Sequence, residues 1–256
     1  MPFKNIVLLA GKWDTTPMVY HFLKEHFTVS KVLMEDPVPR GEFLKKRARK
    51  LGWVEVGGQV LFQLMVAKPM ARSAKKRIME IKNHYRLSSE AIPAGDIIEV
   101  GSVNSAICAE QLQILQPDLV IVHGTRIISK KILNGSNAIF INIHAGITPR
   151  YRGSHGAYWA LANGDNAHCG VTVHLVDAGI DTGNILAQAR IPLTPADNFV
   201  TYPYLQLAEG LHLMKNAIDE MEKGKRPSVS NSLDSALWHH PTLWGYLWKR
   251  ITKGVK

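Results

Sequence analysis

Residues 138–186 read AIFINIHAGITPRYRGSHGAYWALANGDNAHCGVTVHLVDAGIDTGNIL. Ala138–Ile143 is a short, nearly unbroken apolar run of the kind a strand covered on both faces requires, and it closes on Asn142-Ile143-His144. Side chains two apart on an extended chain point the same way, so Asn142 and His144 share a face. In an open α/β sheet, ligands bind outside the C-terminal ends of the strands, and this pair falls at such an end. A second extended run, Val171–Val176, leads into the turn-rich Asp177-Ala178-Gly179-Ile180-Asp181-Thr182-Gly183, which can bring a carboxylate back beside the pair. Asn184–Ile191 adds a strand that must be antiparallel or nearly so, because the connection is too short for a crossover.

Upstream, Asn5–Ala10, Phe27–Met34, Asp96–Val100 and Asp118–His123 read as strands, the last a buried run of the parallel type. Helices are expected from Asp14, Thr15 or Thr16 to His26, from an Asn104 cap to just before Pro117, at Ser129–Leu133, from a Ser154 cap to Asn163, and from Asn198 to Lys223. Alternation of strands and helices specifies a doubly wound α/β domain with a mostly parallel sheet. Residues 35–86 break that rhythm: they are basic and helix-like, with Gly57-Gly58 as an expected interruption. A chain of 256 residues therefore reads as one domain over 1–225, with a basic helical insertion at 35–86 and an aromatic, basic helical tail at 226–256.

An amide, an imidazole and a carboxylate together suit acyl transfer to a nucleophile that needs only to lose a proton. Asn142 and protonated His144 are the oxyanion donors in this reading and Asp181 is the proton acceptor, although spacing alone leaves Asp177 equally eligible. His174 lies two residues before Val176, on the same approach to the site.

Asn142-x-His144, Pro149-Arg150-Tyr151-Arg152-Gly153, Gly170-Val171-Thr172-Val173-His174 and Asp181-Thr182-Gly183 occur in the order and spacing of a known family. In these motifs the chain resembles the formyltransferases that use 10-formyltetrahydrofolate, which include glycinamide ribonucleotide, methionyl-tRNA and sugar N-formyltransferases. The resemblance runs from about Pro117 to Ile191 and implies a Rossmann-type, formyltransferase-like fold. It also implies transfer of a formyl group from the folate to a primary amine, with Asn142, His144 and Asp181 catalytic. The folate is expected between His123, Gly124, Thr125, Arg126, Ile127 and Ile128 on one side and Val176, Asp177, Ala178, Gly179, Ile180 and Asp181 on the other, with His174 supporting. Arg150, Tyr151, Arg152 and His155 are the expected acceptor-binding residues, two guanidinium groups on a stiff loop being suited to an anionic ligand. At the first loop the chain has Gly11-Lys12-Trp13-Asp14 in place of a glycine- and serine-rich turn that would admit a ribonucleotide phosphate. An amino sugar carried on a nucleotide or a lipid is the expected acceptor, and hydrolysis of the same folate, or folate sensing without catalysis, are the competing readings.

The formal net charge is +10, concentrated in Arg40–Lys50, Arg72–Arg86 and Lys249–Lys256. An anionic small molecule fits that balance better than nucleic acid, because aromatics are not interleaved with the basic runs as a stacking platform would require. Three tryptophans and Tyr246 next to Lys249 and Arg250 read either as a peripheral membrane anchor or as rings packed on the domain or on a second copy in a homodimer. His239-His240 lacks partners at metal spacing, so no metal is expected. Cys108 and Cys169 read as reduced core thiols, and no apolar run is long enough to span a bilayer, which together suggest a cytoplasmic protein.

Overall fold

The computed structural model describes residues 3–256. Strand β1 (Ile6–Gly11) is buried throughout and precedes α1 (Thr16–His26) and β2 (Val29–Glu35). The insertion follows as α2 (Arg40–Leu51), α3 (Trp53–Phe62), a π-helical turn at Gln63–Ala67, α4 (Lys68–Ser73) and α5 (Lys75–His84). The chain then runs through β3 (Ile97–Gly101), α6 (Ala106–Leu115), β4 (Leu119–His123), α7 (Lys130–Asn134) and β5 (Ile139–His144). After the short β6 (Arg152–Gly153) come α8 (Gly156–Ala162), β7 (Gly170–Leu175), β8 (Ile185–Arg190) and α9 (Tyr202–Glu222). The tail supplies β9 (Leu237–Trp238) and α10 (Leu243–Lys253).

Among the described residues, seven strands form one sheet in the order β3-β2-β1-β4-β5-β7-β8. The first five are mutually parallel, β7 pairs antiparallel with β5, and β8 pairs antiparallel with β7. The period of two along β1 explains why the sheet needs cover on both sides. Ile6 and Leu8 join a core with Met18 and Leu23 of α1 and Leu211 and Met214 of α9, whereas Val7 and Leu9 join one with Cys108 and Leu112 of α6 and Ile132 of α7. Strand order reverses between β1 and β4, so the C-terminal ends of β4 and β5 open beside the crevice where such sheets bind ligands.

Several local expectations fail for identifiable reasons. Gly57-Gly58 does not interrupt a helix: α3 runs through both, and the break falls at Gly52, whose φ of +87° a glycine accepts readily. Gly58 instead makes room for the tail, since a Cβ there would lie 2.3 Å from the Trp244 ring. Ser105, not Asn104, caps α6, accepting from the Cys108 N–H at 3.1 Å. Asn104 is used elsewhere, bonding the Ile127 carbonyl and the Ser129 N–H. Ser154 does not cap α8; the preceding residue is His155, held in the left-handed region at φ +59°. Helix α9 starts at Tyr202 rather than Asn198, because Asn198 and Thr201 bond to each other in a turn.

A third apolar cluster joins the insertion and the tail to the domain. Phe62, Tyr158, Phe199 and Tyr246 pack together, and Trp238 stacks on Trp159 at 4.7 Å between ring centroids. Both cysteines are free and buried. Among the described residues no helix is long and apolar enough to cross a membrane.

Candidate active site

Asn142 and His144 are the last residues of β5 on one face, and pairing with β7 sets Asn142 opposite His174. The His174 Nδ1–H donates to the Leu175 carbonyl at 2.7 Å, which leaves Nε2 to accept from Asn142 Nδ2 at 3.2 Å. The second N–H of Asn142 remains for a ligand. His144 Nε2 donates to the Tyr151 carbonyl at 2.7 Å, so the other nitrogen, Nδ1, faces Asp181 Oδ2 at 3.2 Å. Asp181 also accepts from the Gly153 N–H at 3.0 Å and lies 3.6 Å from His174 Nε2. The turn that delivers this carboxylate requires φ +51° at Asp181, a conformation that aspartate tolerates better than most residues. The amide, the imidazole and the acid therefore meet.

Asp177 does not join them. Its carboxylate accepts from the Gly179 N–H and the Thr182 hydroxyl, closing the turn that presents Asp181. Both His144 nitrogens are engaged, so the ring has no donor free for an oxyanion in this arrangement. It is instead placed to hold or pass a proton with Asp181.

These residues floor a cavity of about 570 Å³ at the C-terminal ends of β4 and β5. One wall is Gly124–Ile128 and the other runs through Val176, Asp177, Gly179, Ile180 and Asp181. A larger recess of about 820 Å³ lies at the opposite end of the same strands, near Lys4, Asp118 and Asn137, and contains no histidine. Chemistry, not size, therefore selects the site. Arg126 does not extend into the cavity as a ligand-seeking cation: its guanidinium bonds Glu35 Oε1 at 2.6 Å and the Asp36 carbonyl at 3.0 Å, fixing the wall. His123, expected in the folate pocket, bonds Thr15 at 2.9 Å and does not line the cavity, nor does Ala178.

The expected acceptor residues are largely committed to structure. Tyr151 is buried with its hydroxyl donated to Asp165, which Arg150 also contacts, so neither lines the cavity. Arg152 donates to the Ile180 carbonyl at 3.1 Å, bracing the Asp181 turn, and His155 bonds His240 at 2.8 Å behind the site. The far rim comes instead from Phe43 of α2 and from Leu237, Trp238 and His239. No local pattern in the sequence marks these residues; Leu237, Trp238 and His239 reach the cavity because β9 pairs with β6, and Phe43 is brought there by α2 of the insertion. Gly153 likewise matters through its backbone.

Burial pushes the His144 imidazole below its ordinary value, with the Asp181 charge opposing. Burial by itself would raise Asp181, but the neighbouring His144 and the Gly153 N–H hold its carboxyl below the usual range. Burial also lowers His123 and His240 to about 4 and His155 well below 6.5. In each of these histidines the fold favours the neutral ring, so the stability this confers is complete above about 6.5 and is lost as pH falls towards the folded value. At pH 5 unfolding should take up about two to three protons, and the melting temperature should drop steeply between pH 6.5 and 4. A urea midpoint that stays constant across that range would contradict the burial of these rings.

The family model described as formyl transferase matches residues 68–212, more than half of the chain. The chain is 38% identical over 117 residues to a methionyl-tRNA formyltransferase of Thermodesulfovibrio yellowstonii, covering 45% of this chain and 37% of that protein. It is 33% identical over 143 residues to one from Methylacidiphilum infernorum, covering 54% and 44%. The matched segments thus span less than half the length of these relatives. Among solved structures, glycinamide ribonucleotide transformylase 1 of Symbiobacterium toebii aligns at TM-score 0.55 and 21% identity, over 93% of this chain and 95% of that one. A sugar N-formyltransferase from a Shewanella species aligns at TM-score 0.54 and 15% identity, over 91% and 76%, likenesses that concern the fold. With the motif residues gathered at one strand end and the family model covering that region, this chain belongs to the formyl transferase family.

Proposed function

We propose that the chain transfers a formyl group from 10-formyltetrahydrofolate to a primary amine. The observation that carries this reading is the convergence of Asn142, His144 and Asp181 on one cavity, with His144 Nδ1 and Asp181 Oδ2 3.2 Å apart. The cavity suits a flat heteroaromatic donor, because Val122, Ile128 and Val176 offer apolar surface while backbone at 124–128 and 176–181 offers donors and acceptors to a ring edge. The folate supplies the formyl carbon. As the neutral amine attacks that carbon, the free N–H of Asn142 stabilises the developing oxyanion. Asp181 takes the proton the amine nitrogen must shed, and His144 beside it holds that charge balance. The new C–N bond forms, the bond from the formyl carbon to the folate N10 breaks, and the proton ends on N10.

The acceptor in this reading is an amino sugar carried on a nucleotide or a lipid. Trp13 supports the choice against a free ribonucleotide: its indole N–H donates to the Gly124 carbonyl at 2.6 Å and ties the first loop to the cavity wall. The test is release of tetrahydrofolate from 10-formyltetrahydrofolate, with and without nucleotide-linked amino sugars or amino-sugar lipids in micelles. Release only with an amine is the expected result. Release without one would make the protein a hydrolase, and binding without turnover would make it a sensor.

A further inference from the structure

Helix α10 is amphipathic in the wrong direction for a helix that ends at water. Its apolar stripe Trp244, Leu247, Trp248 and Ile251, spaced i, i+3, i+4, i+7, is 47–81% exposed, whereas Tyr246 is the side chain it buries. The α3 segment and the turn after it show the same inversion. Trp53, Val54, Leu61, Leu64 and Met65 face out, while Gln59 is 5% exposed, its amide without a hydrogen-bond partner among the described residues. Exposing tryptophan, leucine and methionine side by side costs free energy if water covers this face. The two stripes adjoin, because the Trp244 ring lies against Gly58 of α3.

We infer that this α3–α10 face docks on an anionic lipid bilayer. Charge selects that occupant. Residues 40–86 carry thirteen lysines and arginines against three glutamates, and α10 adds Lys249, Arg250 and Lys253 with no acid. Tryptophans set in an apolar stripe with lysine and arginine at its margins match the headgroup boundary, where ring and cation are both satisfied. A second copy is a poorer partner: an isologous dimer through this face would oppose two sets of the same positive charges. Neither helix is long enough to cross a membrane, so the contact is peripheral. Phe43 of α2, together with Leu237 and His239 of the tail, forms the cavity rim from the same two parts of the chain that carry the docking face.

The experiment is co-sedimentation of the full chain with phosphatidylcholine vesicles, with and without phosphatidylglycerol, at low and high salt. Sedimentation velocity of the free protein accompanies it. Binding to the phosphatidylglycerol vesicles, weakened by salt and reduced about tenfold or more in Trp248→Glu/Ile251→Glu, is expected. Both positions are exposed, and an unchanged melting temperature shows that the variant folds. Absence of binding overturns the inference. So does binding that the double variant leaves intact, which would be adhesion elsewhere, and so does a dimer that the double variant dissociates without any lipid binding. None of these results depends on formyl transfer.

Discussion

Asp181→Asn should reduce the rate of amine-dependent tetrahydrofolate release about a thousandfold while leaving the fold intact. Asparagine is the informative replacement because the position has φ +51°, which asparagine adopts more easily than alanine. Its amide oxygen can still accept the Gly153 N–H, so the turn persists. Lost are the negative charge beside His144 Nδ1 and the base that collects the amine proton. The imidazole then has no charged partner and stays neutral. Folate affinity, measured by equilibrium binding, should change little, so the loss should appear in kcat. A variant within tenfold of the parent rate would remove Asp181 from the proton path, and a matched loss in Asp177→Asn would show turn geometry to be the cause.

The second large effect concerns stability. Glu35 is 3% exposed and accepts the backbone N–H of Arg126 at 2.8 Å and of Val103 at 3.0 Å, as well as the Arg126 guanidinium. Removing one partner of a buried pair leaves an uncompensated charge, which usually costs about 3–5 kcal/mol. Arg126 is about one-third exposed and Glu35 would keep both backbone donors, so Arg126→Ala should cost about 2–3 kcal/mol by urea unfolding. Glu35→Gln in the same background should recover only part of it, since the amide oxygen can still accept from Val103 while the amide nitrogen then faces the backbone N–H at 126, which Glu35 Oε2 accepted. Folate affinity should fall as well, because Arg126 fixes the Gly124–Ile128 wall. Additive effects of the two substitutions would mean that the residues do not act as a pair.

The proximity of Asn142 and His144 was legible because it depends only on two local facts: the period of a strand and the apolar run before it. The strand positions and the antiparallel β8 were legible for the same reason. Spacing alone did not choose between Asp177 and Asp181, since both lie in one turn and differ in which backbone torsion turns the carboxylate inwards; the family resemblance of Asp181-Thr182-Gly183 pointed to Asp181. Arg126 and Tyr151 looked like ligand-binding residues by type, yet they serve Glu35 and Asp165, partners 91 and 14 residues away. Trp238 and His239 reach the rim through pairing of β9 with β6, which no local pattern announces.

The sequence by itself determined the alternating strands and helices, the residues at the end of β5 and the positive charge of the insertion, because each follows from local periodicity or composition. Only the tertiary structure decided how the Asp181 carboxylate meets His144, which arginines are spent on the framework, and that two apolar stripes lie side by side facing outwards. Those outcomes depend on contacts between distant segments, where burial and the supply of hydrogen-bond partners, rather than residue type, assign each side chain its task.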